Sequence, residues 1–428
     1  MKVAVIGTGY VGLTTAVSLA VKGHEVLGID VDAAKIEQLS NGRSPIYEPG
    51  LDQVLLETLG QGKIRFSTNL VEAKEAQVVF VCVGTPETED GEADLRYLHA
   101  ALQDIATLHN HSPKERTLVI KSTVPVGTGD QAAVSLRHCK ELQVVSNPEF
   151  LREGCALEDA LNPSRIIVGA DSEEAIAVMQ TLYSGLSAPW VITTRANAEL
   201  IKYASNAFLA ARISFMNELA RLSAVLGTDV TVVSHGMGLD SRIGSQFLRA
   251  GVGFGGSCFP KDTIALLKLA NQHGVTLSLL EKVREVNASQ PVWFFNQLVS
   301  KIPDLAGKRI AVLGLAFKPD TDDIREAPAL RILAELQAAG AVVTAYDPIA
   351  AKAVEALFPD VEYVTTPEAA FAGAHAAVLV TEWQACVKLD WKLIKEQMEQ
   401  PLLFDGRNAW PHDELKKAGF EYLGVGKS

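Results

Sequence analysis

Positive charge, cysteine and long apolar runs are all scarce in this 428-residue chain, and each shortage excludes something. Lys and Arg number 39 against 51 Asp and Glu, a net charge of −12, which argues against a nucleic-acid or anionic-membrane partner. An anionic substrate would need local positive charge working against that background. The five cysteines, Cys82, Cys139, Cys155, Cys258 and Cys386, are odd in number and widely spaced. They form neither a disulfide framework nor a zinc spacing, so a reducing cytoplasm and no bound metal are expected. No apolar run is long enough to span a bilayer. The apolar stretch after Met1 and Lys2 could pass for a signal peptide, but Gly7, Gly9 and Gly12 break the core such a peptide needs. Low-complexity tracts and short tandem repeats are missing too.

What is present is an ordinary globular composition, 48% hydrophobic and 21% charged, with length for two or three domains. One stretch organises the rest: residues 253–262, GFGGSCFPKD. Its glycines let backbone pass close to a ligand and expose N–H groups there. Lys261 and Asp262 place one charge of each sign beside the thiol of Cys258. A neighbouring cation raises the thiolate fraction, the nucleophilic form. A small buried cysteine beside a glycine-rich turn is the plainer alternative.

Residues 2–6 (KVAVI) predict a buried strand, followed at once by the turn of Gly7, Gly9, Tyr10, Val11 and Gly12. A helix over 13–22 and a strand over 24–30 complete a dinucleotide-binding unit, with Asp30 closing the second strand. Asp30 can bond the ribose hydroxyls and repels a 2′-phosphate, which favours NAD over NADP; Lys35 stands close enough to oppose it. Further strands over 77–83, 117–120 and 144–146 open onto Thr85, Thr123 and the NPEFLREG loop carrying Glu149 and Glu153. Ligand loops belong at such carboxyl ends.

Residues 195–226 form one long helix pattern whose apolar stripe includes Phe208, Phe215 and Leu222, suiting domain bridging or subunit packing. Lys202 and Asn206 share a face of it. Shorter helices are predicted over 229–235 and 263–272, an apolar-patterned segment over 277–298 and a linker over 301–308. Then the opening pattern returns. RIAVLG (309–314) echoes KVAVIG, and GAVVTAYD (340–347) echoes GHEVLGID. The second turn reads GLAFKP, so no second dinucleotide is expected there, and Lys318 suits another phosphate ligand. Asp322 or Asp323 is expected to cap the helix that follows. A strand over 401–404 runs into Arg407.

GTGYVG, KSTVPVGT, NPEFLREG, FGGSCFPKDT and FKPDTDD, in this order, resemble the UDP-glucose 6-dehydrogenase family from residue 1 to about residue 407. The wider group includes GDP-mannose and UDP-N-acetylhexosamine enzymes, and Phe259 after the cysteine looks more like the UDP-glucose branch. The resemblance implies oxidation of sugar C6 to the uronate by two hydride transfers to NAD, feeding nucleotide-sugar and polysaccharide synthesis. Cys258 would hold the aldehyde as a thiohemiacetal and then carry a thioester. Glu149 would activate water, Thr123 would position it, Lys202 and Asn206 would stabilise the oxyanion, and Asp262 would assist.

For NAD the resemblance points to residues 7–12 with Asp30, Lys35, Thr85 and Thr123, and to Glu153, Lys261 and Arg325. For the UDP-sugar it points first to Glu149, Phe150, Leu151, Arg152 and Glu153, with Lys202 and Asn206. Phe247, Leu248, Arg249, Ala250, Gly251 and Gly255 follow around the thiol loop, then Phe317, Lys318 and Arg407. Arg242 resembles an arginine that reaches the neighbouring subunit's site.

The expected architecture is α/β. An NAD-binding Rossmann-type domain spans 1–194, and a central helical dimerisation domain with the Cys258 loop spans 195–300. A Rossmann-like UDP-sugar domain spans 308–428, with the active site in the cleft between the two nucleotide domains and a homodimer or larger assembly overall. Two other classes compete. A one-step hydroxyacid dehydrogenase would need no thiol, and a non-catalytic nucleotide-sugar sensor would be expected to lose the Cys, Lys or Asn.

Overall fold

Short runs of Val, Ile and Leu between glycine-bearing turns set the strands, seen here in a computed structural model describing residues 1–88 and 90–427. Contacts divide the chain into two compact units: Met1–Ser205 with Ile264–Gly274, and Asn206–Thr263 with residues from Val275 onward.

The first unit holds eight strands: β1 (Lys2–Ile6), β2 (Glu25–Ile29), β3 (Ile64–Ser67), β4 (Val78–Val81), β5 (Arg116–Ile120), β6 (Leu142–Ser146), β7 (Ile166–Gly169) and β8 (Trp190–Thr193). Their order is β3-β2-β1-β4-β5-β6-β7-β8. All neighbours run parallel except β6 and β7, which meet at Ser146 and Gly169 in antiparallel register. Alternation along the strands splits the core in two. Val3, Val5, Val78 and Phe80 join one apolar cluster, and Ala4, Val79 and Val81 the other. Both faces are therefore covered, which is why these strands read as continuous apolar runs.

The second unit carries β9 (Arg309–Leu313), β10 (Val342–Tyr346), β11 (Glu362–Tyr363), β12 (Ala376–Leu379), β13 (Leu402–Asp405) and β14 (Glu421–Gly424). They lie in the order β11-β10-β9-β12-β13-β14, all parallel. By rank this repeats the first six strands of the other sheet, so the echoed sequence is an echoed topology.

Three helices begin elsewhere than the apolar spacing suggests. The first runs Tyr10–Val21, starting directly from the Gly9 cap inside the turn. The helix after Cys258 runs Phe259–Gln272, so Pro260, Lys261 and Asp262 lie in its first turn, where proline's missing N–H costs nothing. The helix of the second sheet runs Pro328–Ala338 from a cap at Ala327. Asp323 does not cap it; its carboxylate accepts the Arg325 N–H and binds that side chain.

The long helix spans Arg195–Leu226, as the periodicity predicts, but Phe208, Phe215 and Leu222 of the predicted stripe face outward. Phe208, Phe215 and Leu222 are 65, 51 and 52% exposed. The inward line is Tyr203, Asn206, Ala210, Ser214, Asn217 and Ala220, all buried. A 3.6-residue period marks a face without saying which neighbour covers it.

Candidate active site

The first glycine turn is shaped by three different demands. Gly7 has φ +87°, and a Cβ there would stand 2.8 Å from the Cys82 carbonyl oxygen. At Gly12 a Cβ would stand 1.8 Å from the Gly7 carbonyl oxygen, so only glycine lets helix and turn approach. Gly9 faces open space, and no side chain caps the helix N-terminus that follows. That suits a pyrophosphate: a helix start without a side-chain cap and with no Cβ in the way at Gly9. Asp30 accepts the Thr8 N–H and hydroxyl, both at 2.9 Å, and the Lys35 ammonium at 2.9 Å. Burial opposes its charge, but these donors outweigh it and hold the carboxyl below its ordinary value.

Along the carboxyl ends of β4, β5 and β6, Thr85 donates to the Thr123 carbonyl at 2.8 Å, tying two of the loops. Glu149 accepts the Leu151 N–H on one oxygen and the Lys202 ammonium at 2.7 Å on the other. Both side chains are buried. Burial is the largest influence on Glu149 and opposes its charge, yet Lys202 and the Leu151 N–H together hold the carboxyl below its ordinary value. Thr123, Pro148, Glu199 and Lys202 share a cavity of about 10 Å³, room for roughly one water. The Phe150 ring carries the Arg165 guanidinium 3.8 Å from its centroid and the Lys202 ammonium at 5.5 Å.

In the second unit Cys258 is half-buried at the start of the helix Phe259–Gln272, its carbonyl accepting the Asp262 N–H at 2.8 Å. Asp262 is almost fully buried. It accepts the Asn206 amide at 2.6 Å and the Lys261 ammonium at 2.6 Å on separate oxygens. The glycines before the thiol are hemmed in as well, Gly255 by backbone and Gly256 by a ring. A Cβ at Gly255 would stand 2.1 Å from the Glu326 carbonyl oxygen, and one at Gly256 2.7 Å from the Phe317 ring. Arg407 donates to the carbonyls of Val380 at 2.7 Å, Gly253 at 3.3 Å and Phe317 at 3.2 Å. Phe247, at φ +59°, sets its ring 6.1 Å from that of Phe259. Leu248, Ala250 and Gly251 are buried beside it while Arg249 is exposed, and Lys318 lies 5.4 Å from the Phe317 ring.

The second glycine turn differs where it matters for a ligand. Gly314, at φ +83°, repeats Gly7. Asp347, the counterpart of Asp30, accepts the N–H of both Leu315 at 2.7 Å and Ala316 at 3.0 Å. The Leu315 N–H matches the Thr8 N–H that Asp30 holds in the first turn, so the two turns differ at one donor, Ala316 in place of Gly9.

Three family profiles match in succession. The UDP-glucose/GDP-mannose dehydrogenase NAD binding domain covers residues 1–187, its central domain 196–289 and its UDP binding domain 311–412. The chain belongs to the UDP-glucose/GDP-mannose dehydrogenase family. Among its relatives, a UDP-glucose 6-dehydrogenase of Rhizobium meliloti is 44% identical over the whole of both chains. UDP-glucose 6-dehydrogenase YwqF of Bacillus subtilis is 43% identical over 100% of this chain and 98% of its own. The structure of a UDP-glucose dehydrogenase from Pyrobaculum islandicum superposes with TM-score 0.93 at 38% identity, covering 100% of this chain and 98% of the other.

For a member of this family, the placement of the expected residues is uneven. The pairs Glu149–Lys202 and Asn206–Asp262 are assembled, as is the Arg407 contact with the Gly253 and Phe317 backbone. Three arginines assigned to ligands pair with carboxylates close by in sequence: Arg152 with Asp159, Arg242 with Asp240 and Arg325 with Asp323. Sequence reasoning missed Glu48, whose carboxylate accepts the N–H groups of Gly154 at 2.7 Å and Ala156 at 2.6 Å and so anchors the NPEFLREG loop. It also missed Glu199, which accepts the Gly127 and Gly129 N–H groups at 2.7 and 2.8 Å. Burial raises the carboxyl of Glu199 above its ordinary value. Asn217, Asn287 and Gln290 went unread as well, although each interrupts a buried helix face with an amide.

Proposed function

We propose that this chain oxidises the C6 alcohol of UDP-glucose to the carboxylate of UDP-glucuronate, a uronate precursor for polysaccharide. The observation that carries it is the thiol of Cys258, half-buried at the start of the helix whose first turn holds the Lys261–Asp262 pair, while Cys82, Cys139 and Cys386 are buried and Cys155 is exposed. Burial pushes the Cys82 thiol up to about 12, which leaves it unreactive. The Gly7–Gly12 turn and Asp30 would hold NAD, which would supply the hydride acceptor for each of two oxidations. After the first, the Cys258 thiolate bonds to the aldehyde carbon and the oxygen becomes an alkoxide. Lys202 and one N–H of the Asn206 amide stabilise that charge, the other N–H being held by Asp262. Loss of the second hydride leaves a thioester. Glu149, kept ionised by Lys202, takes a proton from water as it attacks, and Cys258 leaves as thiolate. Thr123, lining the water-sized cavity with Lys202, positions that water. Asp262 serves as acid–base or water-holding partner.

The UDP moiety is read by Phe247, Leu248, Arg249, Ala250 and Gly251, by Phe317 and Lys318, and by Arg407, with Arg242 reaching from a second copy of the chain. The outward apolar face of the long helix supports a homodimer. Scattered cysteines support a reducing cytoplasm, and no helix among the described residues is long and apolar enough to cross a membrane.

The test is stoichiometric. Supplied with excess NAD⁺, the chain is expected to yield two NADH per UDP-glucose consumed, and Cys258→Ala to bind both ligands yet stall at or before the aldehyde. One NADH per sugar with free aldehyde accumulating, or near-normal turnover in Cys258→Ala, overturns the covalent mechanism. The same assay with GDP-mannose and UDP-N-acetyl sugars checks the sugar.

A further inference from the structure

We propose that Asn287 is a positioning residue for the reactive thiol, clamping the backbone that leads into Cys258 with Gln290 and Asn217 as its partners. The proposal rests on the reading of Cys258 as the nucleophile. Asn287 pairs with Phe254 as one strand pairs with another: its Oδ1 accepts the Phe254 N–H at 2.8 Å and its Nδ2 donates to the Phe254 carbonyl at 3.0 Å. One helical turn on, Gln290 donates to the Gly251 carbonyl at 2.8 Å, while Asn217 accepts the Gly251 N–H at 2.8 Å. Arg221 donates to the Gln290 oxygen at 2.9 Å, which fixes the orientation of that amide.

The need for such a clamp follows from composition. Residues 251–256 include four glycines, the residue with the widest backbone freedom and nothing to pack. Left alone, this segment would deliver Cys258 to many places. In the structure it is held at nearly every step. The Val252 N–H donates to the Gly406 carbonyl at 3.0 Å and the Gly256 N–H to the Arg325 carbonyl at 2.8 Å, with Arg407 on Gly253 between them. The pairing at Phe254 is passed on through its ring, which stands edge-on to Phe259, the residue after the thiol, at 5.7 Å.

The helix Ser278–Lys301 is adapted to this task. Its inward positions run Leu280, Val283, Asn287, Gln290, Phe294 and Leu298 at steps of three and four, so the two amides stand where apolar residues would serve packing better. Pro291 follows directly and has no N–H to give the Asn287 carbonyl. A Cβ at Gly253 would stand 3.5 Å from that carbonyl oxygen, so the loop passes close against the opened turn.

The experiment compares the full chain with Asn287→Leu, Asn287→Asp and a packing control on the same helix, Leu298→Ala. Alkylation of Cys258 by iodoacetamide is followed across pH by peptide mass spectrometry, alongside melting temperature and turnover. Asn287→Leu is expected to change the alkylation rate at Cys258 severalfold and to lower kcat about tenfold, the scale of two lost hydrogen bonds, with KM for NAD⁺ unchanged. NADH per UDP-glucose should fall from two towards one as aldehyde escapes an unplaced thiol. Asn287→Asp keeps the acceptor for the Phe254 N–H and should fall between. Leu298→Ala should lose as much thermal stability with normal alkylation and a ratio of two. Unchanged alkylation and ratio in a folded Asn287→Leu, or equal changes in Leu298→Ala, overturn the proposal. Should the leucine variant not fold, unchanged alkylation in Asn287→Asp does so. If the unaltered chain makes no NADH from UDP-glucose, the proposed reaction fails, while alkylation still decides whether Asn287 places the thiol.

Discussion

Lys202 and Glu149, 2.7 Å apart and both shielded from water, form a buried ion pair. Neither charge is tolerable alone: removing one partner of a buried pair strands the other, at about 3–5 kcal/mol. The folded carboxyl of Glu149 lies below its ordinary 4.5, so its stabilising effect is complete above that value and is lost as pH falls through the lower folded value. Glu149→Gln should therefore melt earlier at neutral pH and show a flatter loss of stability on acidification, read by calorimetry between about pH 7 and pH 3. Equal acid sensitivity in both proteins would show that the pair is not coupled as the geometry implies. At this scale the sequence was legible where chemistry demands a rare residue type in a rare setting. Cys258 in its glycines, and Gly7 and Gly12 in their turn, announce themselves. Asn287 and Glu48 do not, because their roles are set by which distant backbone groups they meet, at Phe254 and Gly154.

At the scale of elements, the helix Arg195–Leu226 presents Phe208, Phe215, Leu222, Val225 and Leu226 outward, each more than half exposed. Aromatic and branched side chains repeated at seven-residue steps are an expensive surface for one chain in water and a ready one for a second copy. Light scattering should find a dimer or larger assembly at micromolar concentration, and Phe215→Glu with Leu222→Glu should shift it to the mass of a single chain. A monomeric unaltered chain would leave that face without its proposed purpose. The 3.6-residue period located this helix end to end, whereas its sidedness lay in what packs opposite. Boundaries failed where a cap, not a period, decides. Gly9 starts a helix inside a turn, and Pro328 delays one past two candidate aspartates.

For the whole molecule, two sheets that share the order of six strands carry different turns, and the difference predicts separate ligand responses. Hydrogen exchange with NAD⁺ alone should slow amides around Gly7–Gly12, and UDP alone should slow those after Gly314, where Asp347 already holds Leu315 and Ala316. Protection of both turns by NAD⁺ would contradict the division of labour. The repeat was readable because both sheets need the same buried runs; that the second turn gives a further N–H, at Ala316, to its own carboxylate depended on where Asp347 points. Arg407 adds a consequence in the order of synthesis. It bonds the Gly253 carbonyl across 154 positions of chain and is itself set by Asp405, which also accepts the Tyr422 hydroxyl at 3.0 Å. The loop that carries the thiol is translated first, and Arg407, 154 positions after Gly253, reaches it only later. A nascent chain thus carries the Cys258 loop without this anchor until Arg407 has been made.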